Sequence, residues 1–458
     1  MPQNDLMEKI VSLCKRRGFI YPGSEIYGGL ANSWDYGPLG HLLKQNIKNA
    51  WWKFFVQERE DMLPLDTAII MNPKVWEASG HLQNFSDKLV ECKSCHRRFR
   101  TDHLLEAVSA KPGYDKEKTR DIKDVRCPDC NGEFTTPKNF NLMFKTFLGT
   151  TEDSTTVVYL RPETAGGMFV NFKNIQQTTR KKLPFGIAQI GKNFRNEITP
   201  GNFIFRTREF EIGEFEYFIN PKDWEKTFKM WLSEIKRWWK DIMQVNMKNL
   251  IWHEIEESDR AHYSKRTVDI EYKYPFGLGE LHGIAYRTDF DLSRHEKVSG
   301  EDLHYNDPET GEKFLPHVIE PTFGIDRMLL VSLLEAYTEE EAPTAEKGET
   351  EMRVVMKFPK HLAPIKVAVL PLSKKEELNS FAKEIADGLR KSFYVDYDET
   401  QSIGKRYRRQ DEIGTPYCVT VDFDSLEDKK VTVRDRDTMK QERIAITKLK
   451  DYLAEKLA

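Results

Sequence analysis

The stretch "FRNEITPGNFIFRTREFEIGEFEYF", Phe194 to Phe218, sets Arg195, Arg206 and Arg208 beside Glu197 and Glu214, with Phe210 among them. Residues two apart on a strand share a face, so Arg195 should point with Glu197, and Arg206 and Arg208 with Phe210. Thr199-Pro200-Gly201-Asn202 is a turn signal between the two runs. The expectation is an antiparallel hairpin that gathers guanidinium forks, a carboxylate and an aromatic plate on one face. Those groups suit a nucleotide: forks for phosphate oxygens, the plate for a base, the carboxylate for an exocyclic amine. Opposite charges also neighbour one another on solvated surfaces, but the alternation argues against that plainer reading.

The remaining composition sets limits on function. A chain of 458 residues should hold two or three domains. A net charge of −3 argues against a protein that coats nucleic acid nonspecifically, while leaving room for local basic patches. No apolar run approaches the ~20 residues needed to span a bilayer, so no membrane role is expected. The N-terminus lacks a signal peptide's apolar core. Its Lys15-Arg16-Arg17 run reads as a surface helix end, with a short targeting role as the competing reading. The setting expected is cytoplasmic.

Six cysteines fall into two classes. Cys14 and Cys418 are isolated, and isolated thiols are by default inert. Cys92, Cys95, Cys127 and Cys130 form two Cys-x-x-Cys turns, each able to aim two thiolates at one tetrahedral ion. The 31 residues between Cys95 and Cys127 exceed the usual ribbon spacing, so a segment is inserted between the knuckles. The reading is structural zinc, since four thiolates leave no open position. Disulfides compete, but a cytosolic compartment disfavours them.

Along the chain, a Gly-rich passage precedes helical spacing at Leu43, Ile47, Ala50, Trp51, Phe54 and Phe55. "MLPLDTAIIMNP" then reads as a strand running into Pro73. This helix and strand suit a subunit interface or plain core packing. Residues 91–135 are the cysteine-bearing insertion and 220–262 a helical one. "HVIEPTFGIDRMLLVSLLEAY" reads as a strand, a turn at Gly324 and a buried helix. An acidic stretch at 338–351 is the clearest linker. Beyond it, strands alternate with helices in a small α/β domain of about 95 residues.

The motif-bearing segments resemble the class II aminoacyl-tRNA synthetases, and among them the homodimeric glycyl-tRNA synthetases, over nearly the entire chain. Three class motifs carry the resemblance: the helix-strand-proline passage ending at Pro73, "FRNE…RTREF", and "GIDR" at Gly324 to Arg327. "RPETAGG" (161–167) and "GELHGIAYRTDFDL" (279–292) match two further family segments. The resemblance implies an α+β fold: an antiparallel-sheet catalytic domain in 1–90 and 136–340, interrupted by the 91–135 and 220–262 insertions. A linker at 338–360 and an anticodon-binding domain at 361–458 follow. It implies ATP-dependent attachment of glycine to tRNA(Gly) through glycyl-adenylate, a ligase acting in translation, with magnesium at the nucleotide and a homodimeric assembly.

By resemblance, Arg195 would hold the α-phosphate and Glu197 accept from the adenine amine. Phe210 and Arg327 would cover the two adenine faces, and Arg206, with Arg208, would reach the outer phosphates. Arg195, Glu197 and Arg327 carry the catalysis in this reading. Glu280 would hold magnesium, with Leu281 beside it. Asn196, Phe205, Thr207, Glu209, Gly324, Ile325 and Asp326 complete the ATP site. Glu163, Glu214 and Glu320 would share the substrate ammonium, while Arg287 and Arg100 would take its carboxylate. Phe210, Glu211, Ile212, Gly213, Pro321, Thr322, Phe323 and Gly324 complete the glycine pocket. Thr322 stands where the family usually has serine. A pocket too full for alanine needs no editing domain, and no segment reads as one.

Two departures bear on that pocket: Gly166 replaces a family glutamine, and Ile212-Gly213 stand where bacterial relatives often have Gln-Met. Glu280 and Arg287 have opposite parity, so a bulge near Gly283 is required for both to face the site. In the C-terminal domain Lys405, Arg406, Tyr407, Arg408 and Arg409 would supply charge and a stacking plate for an RNA loop; a solvated basic helix start is the competing reading. The alternative from another class is a non-catalytic, synthetase-like nucleic-acid-binding accessory protein. Such a paralogue should lack the fork and metal residues, and all of them are present here.

Overall fold

The computed structural model describes residues 3–101, 104–105, 108, 121–198, 200–343 and 349–457. Seven strands make the central sheet: β1 (Met62–Pro64), β2 (Phe185–Phe194), β3 (Glu209–Ile219), β4 (Leu250–Glu254), β5 (Arg266–Tyr274), β6 (Gly277–Thr288) and β7 (His317–Gly324). They lie in the order β4-β5-β6-β7-β3-β2-β1, antiparallel except for the short edge strand β1 beside β2.

The opening stretch pairs as expected, Phe194 with Glu209 through Phe185 with Phe218. Its regular pairing ends sooner than the alternation implied. Residues 195–208 form a loop containing a short 3-10 turn, Phe203–Phe205, and a bridge between Gly201 and Arg206. Thr199 lies outside the described residues. Arg195, Glu197, Arg206 and Arg208 therefore take their directions from a loop, and strand parity does not govern them.

One face of the sheet is covered by α1 (Pro38–Trp52), which begins with proline at its first position, where no amide donor is missed. Leu43, Ile47 and Trp51, four apart, are fully buried. Trp51 and Phe55 meet Phe215 and Phe323 at 4.9–6.2 Å between ring centres. Burying each such side chain contributes on the order of 2 kcal/mol. At these positions core packing prevails over the interface reading, because the chain's own sheet already covers them. Pro73 ends no strand; it starts the short helix Pro73–Ala78, capped by the Asn72 side chain.

The opposite face is covered at one end by α2 (Ala165–Val170) and left open at the other. The 220–262 stretch is helical only in part. The helix α3 (Trp224–Arg237) runs into a π-turn, Trp238–Ile242, and β4 then joins the central sheet. Next come α4 (Phe290–Ser299) and the buried α5 (Ile325–Ala336), which opens where β7 ends. The stretch read as a linker is ordered at both ends. Tyr337–Pro343 pairs antiparallel with Thr350–Met356, and residues 344–348 lie outside the described residues. Its charges are matched across the ribbon, Glu340 with Arg353 and Lys357, so an acidic run there builds structure.

The C-terminal domain is a five-stranded sheet of β8 (Val367–Pro371), β9 (Val395–Tyr397), β10 (Tyr417–Val421), β11 (Lys430–Asp435) and β12 (Gln441–Ala445). Their order is β9-β8-β10-β11-β12, parallel across β9-β8-β10 and antiparallel beyond. The helices α6 (Glu376–Arg390), α7 (Ile403–Ile413) and α8 (Ile446–Leu457) complete it, α6 and α8 where the β/α alternation predicted them.

Candidate active site

Alternation on β3 and β7 builds the site. Phe210, Ile212 and Glu214 of β3 line a cavity of about 270 Å³ with Glu320, Thr322 and Gly324 of β7. Residues of the other parity face the core. A Cβ on Gly213 would sit 3.1 Å from Trp51 and 3.3 Å from Ile325. Phe323 stacks on His282, Ile325 is fully buried, and Pro321 is buried opposite Ile284. These are four corrections to the expected site residues. For Gly213, Phe323 and Pro321 the cause is the two-residue period of the strand, whereas Ile325 opens the buried helix α5 and packs into the core with it. Gly166 is a fifth correction: its Cβ would meet Trp76 at 3.2 Å and Val75 at 3.3 Å, outside the cavity lining.

The required bulge exists. Ile270 pairs with His282 and Glu271 with Glu280, leaving Leu281 unpaired. Beyond it Gly283 and Ala285 share the cavity face with Glu280. Arg287 follows in phase, but its guanidinium is committed elsewhere. Nε and Nη2 donate to Asp291 at 2.7 and 2.8 Å, and Nη1 donates to Glu320 at 2.7 Å. The guanidinium is fully buried over the Tyr263 ring at 3.9 Å. Arg287 is thus a buried counter-ion to two carboxylates and not an open fork for a substrate carboxylate. Arg100, on the strand Arg98–Arg100, pairs with Asp87 at 3.1 Å and does not line the cavity.

The other half of the cavity carries Arg195, Glu197, Arg206, Phe210, Glu280 and Arg327. Arg195 anchors its Nε on the Pro162 carbonyl at 3.0 Å, with the guanidinium 5.3 Å from the Phe210 ring centre. Arg327 donates to the Glu280 carbonyl at 2.8 Å, pairs with its carboxylate at 3.1 Å, and lies 4.6 Å over the Phe205 ring. Glu197 Oε2 is buried without a partner among the described residues, an acceptor ready for an incoming N–H. Asp326 is otherwise employed: it accepts from Lys44 at 2.7 Å, the Glu211 amide at 2.7 Å and Tyr36. Lys44 and Lys48 also hold Glu211, so these two carboxylates brace α5 and β3 against α1. Asn196, Arg208 and Glu209 line an adjoining cleft that shares Thr207 and Phe210 with the cavity.

The closed half is acidic. Glu214 accepts from Thr322 at 2.8 Å and from Thr164. Glu163 lies 3.4 Å from His81. Burial pushes its carboxyl up, but His81, Arg287 and Arg195 outweigh that and bring it down to about 2. Burial pushes Glu320 up, with Glu214 and Glu163 adding to the rise, while Arg287 beside it pulls the other way. This half can hold a small cation and has little else to offer.

Sequence reasoning missed His81, Thr164, Tyr263, Thr267, Asp269 and Asp291. Thr164 and Asp291 fall inside quoted motifs and were legible; the others come from separate segments joined only by folding. Asp269, opposite Gly283 on β5, is pushed up to about 7 by burial and by Glu280 and Glu271.

The four cysteine sulfurs lie within 4.8 Å of one another, Cys92 with Cys130 at 3.4 Å and Cys95 with Cys127 at 3.7 Å. Tetrahedral bonds of ~2.3 Å put thiolates about 3.8 Å apart, so the set fits a metal ion. Gly132 leaves the room, since a Cβ there would sit 2.9 Å from Cys92 Sγ. All six thiols are unpaired; burial pushes the isolated Cys418 up to about 12.

The C-terminal basic run is a correction. Arg406 is buried and donates to the Pro371 and Asp398 carbonyls. Arg408 pairs with Glu351 and Asp411, and Arg409 with Asp398. The Tyr407 ring packs beside Leu370 and Cys418 under Arg434. Of the five, Lys405 is exposed. Helical period turned the cluster inward, where the chain supplies its own acids.

Comparison with known proteins agrees with this architecture. Residues 147–337 match the tRNA synthetase class II core domain (G, H, P, S and T), and 366–456 match the anticodon binding domain. A prolyl-tRNA synthetase from Cryptosporidium parvum shares the fold at a TM-score of 0.62 and 15% identity, over 98% of this chain and 76% of that one. Fold and site together define a class II aminoacyl-tRNA synthetase. The chain is 54% identical to the glycine–tRNA ligase of Thermobifida fusca, over 100% of this chain and 99% of that protein. It is 57% identical to that of Acetivibrio thermocellus over 97% of each. The chain belongs to the glycine–tRNA ligase family.

Proposed function

We propose that the chain attaches glycine to tRNA(Gly) in two steps at this cavity. The supporting observation is a nucleotide half, with Arg195, Phe210 and Arg327, opening into a closed acid half with Glu163, Glu214 and Glu320. The ammonium of glycine is held by the three carboxylates, which leaves its carboxylate directed at the ATP. That carboxylate oxygen attacks the α-phosphorus, the bond from the α-phosphorus to the α,β-bridging oxygen breaks, and pyrophosphate departs. Both partners are anionic, so Arg195 and Arg206 neutralise charge that spreads in the transition state. Glu280, a carboxylate on the cavity face, would hold magnesium, which when bound would supply further charge neutralisation. No general base is required, since the attacking oxygen carries no proton. The oxygen of a terminal tRNA hydroxyl then attacks the glycyl carbonyl carbon, the carbonyl carbon–phosphate oxygen bond breaks, AMP leaves, and the hydroxyl proton passes to the phosphate or to solvent.

The finer assignments belong to the same proposal. Residues 1–90 and 136–340 are the catalytic domain, 91–135 a zinc-holding insertion, 220–262 a second insertion, and 361–458 the anticodon-binding domain reached through 338–360. A homodimer in the cytoplasm is the assembly; Ile26, Tyr27 and Leu30, exposed to 88, 86 and 67%, offer apolar surface for a second copy. The non-catalytic alternative loses ground, because the fork and acid residues meet in one cavity. Amino-acid-dependent ATP–pyrophosphate exchange tests the function. Glycine alone among the twenty should support exchange, and Arg195→Ala should lower it by about 100-fold or more while tRNA binding persists. No exchange with any amino acid would overturn the proposal.

A further inference from the structure

Glu216 lies two residues beyond Glu214 on the same face of β3 and is fully buried. Neither of its carboxyl oxygens has a hydrogen-bond partner among the described residues. One oxygen from each of Glu214, Glu216 and Glu320 lies within 4.8 Å of the others. Three ionised carboxylates buried this close together repel one another strongly, and a proton held by the set relieves that repulsion. The hydrogen bonds say where. Glu320 takes Nη1 of Arg287 at 2.7 Å, and Glu214 accepts the hydroxyls of Thr322 and Thr164. Each donor favours the ionised form of its acceptor, and Glu216 has none.

The charged groups facing Glu216 are Glu214 on its own strand, Glu320 on β7, Arg287 on β6 and Asp291 on α4. Arg287 is the cation of the four, and its donors are already divided between Asp291 and Glu320. A carboxylate at 216 would therefore be buried with no compensation, which costs several kcal/mol. A carboxylic acid there carries no charge and has an O–H to turn toward Glu214 or Glu320, each of which has an oxygen within 4.8 Å of one of its own.

We propose that Glu216 is a positioning residue that works as a neutral acid, donating its proton to the Glu214–Glu320 pair and fixing the two carboxylates that receive the substrate ammonium. The pocket then meets that ammonium with Glu163, Glu214 and Glu320 ionised and Glu216 uncharged. Burial and the charge on Glu320 both push the Glu216 carboxyl well above the usual range, in agreement. The ammonium's identity as glycine's rests on the function proposed above, whereas the location of the proton does not.

Infrared spectroscopy of the full-length protein labelled with carbon-13 glutamate tests the proton directly. At pH 7.5 the folded wild type should show the C=O stretch of a protonated glutamic acid, shifted by the isotope. Glu216→Gln should lose that band. Because glutamine keeps a donor and no charge, the KM for glycine in pyrophosphate exchange should stay within about threefold of wild type, with kcat little changed. Glu216→Ala, which removes the donor, should raise that KM by roughly tenfold or more. Absence of a protonated-glutamate band from wild type would overturn the proposal without recourse to any variant. So would a band that survives Glu216→Gln, or a tenfold rise in KM for the glutamine variant. If wild type shows the band yet no exchange with glycine, the functional reading fails and the proton assignment stands.

Discussion

Arg287 shows how far a residue's type can mislead about its task. Its spacing and chemistry suit a carboxylate clamp, yet its donors go to Asp291 and Glu320, inside the protein. A clamp and a buried counter-ion predict different losses. Removing a clamp raises KM in a protein of normal stability. Removing a buried partner strands two carboxylates and costs about 3–5 kcal/mol. We expect Arg287→Met to behave in the second way, with a lowered urea midpoint whether or not glycine is present. A variant of wild-type stability with only a weakened KM would restore the clamp. The motif made Arg287 legible as a functional residue and held one partner, Asp291, four positions on; the other, Glu320, could not be read because it is 33 positions away.

At the scale of elements, β6 holds the lesson. One unpaired residue, Leu281, brings Gly283 and Ala285 into the cavity with Glu280. The need for a bulge was legible from parity alone. His282, beside it, accepts from Trp239 Nε1 at 2.8 Å and stacks on Phe323, fully enclosed. Burial pulls its imidazole down from 6.5 to about 3, so the folded protein keeps it neutral. The unfolded chain then takes up a proton first on acidification. Stability from this residue is whole above about pH 6.5 and falls as pH drops toward 3, at up to about 1.4 kcal/mol per pH unit. Urea midpoints measured at pH 7 and pH 5 should show that fall, and His282→Gln should flatten it. Equal slopes for the two proteins would remove His282 as the cause.

The cysteine knuckles are a second element-scale case. Two Cys-x-x-Cys turns were legible as a metal site from spacing, and the folded sulfurs do converge. Chelation should expose the 91–135 segment to limited proteolysis while ATP-dependent exchange is largely retained, since the cysteines lie outside the cavity lining. An unchanged cleavage pattern after removal of bound metal would count against a structural ion.

At the scale of the molecule, Arg353 joins the two domains. It is buried on the strand Thr350–Met356 and donates to Glu340 of the same ribbon, to Asp411 of α7 at 2.8 Å and to the Arg436 carbonyl at 3.1 Å. Arg434 completes the cluster on Asp411, and Arg436 reaches back to the Phe358 carbonyl. Arg353→Met should leave Asp411 short of a partner, cost about 3–5 kcal/mol, and speed hydrogen exchange in β8 and β10 ahead of the central sheet. Uniform exchange throughout would mean that the ribbon carries no coupling. Nothing in the acidic composition of 338–351 foretold this, because matched charge across a ribbon reads as a solvated linker when only one strand is in view.

What the sequence determined by itself was the class, the order of its motifs, and the types of residue in the cavity: the forks, the acids and the thiol pairs. Those are local patterns, and their chemistry travels with them. Which face each residue took was left to the tertiary structure. Gly213, Pro321 and Phe323 turned to the core because their neighbours at the other parity turned to the cavity. Arg406 turned to two main-chain carbonyls and Arg408 and Arg409 to nearby acids, and His81, Tyr263 and Asp269 arrived from remote segments. The reason is physical: a buried charge must find a partner, and only the folded chain decides which partner lies within reach.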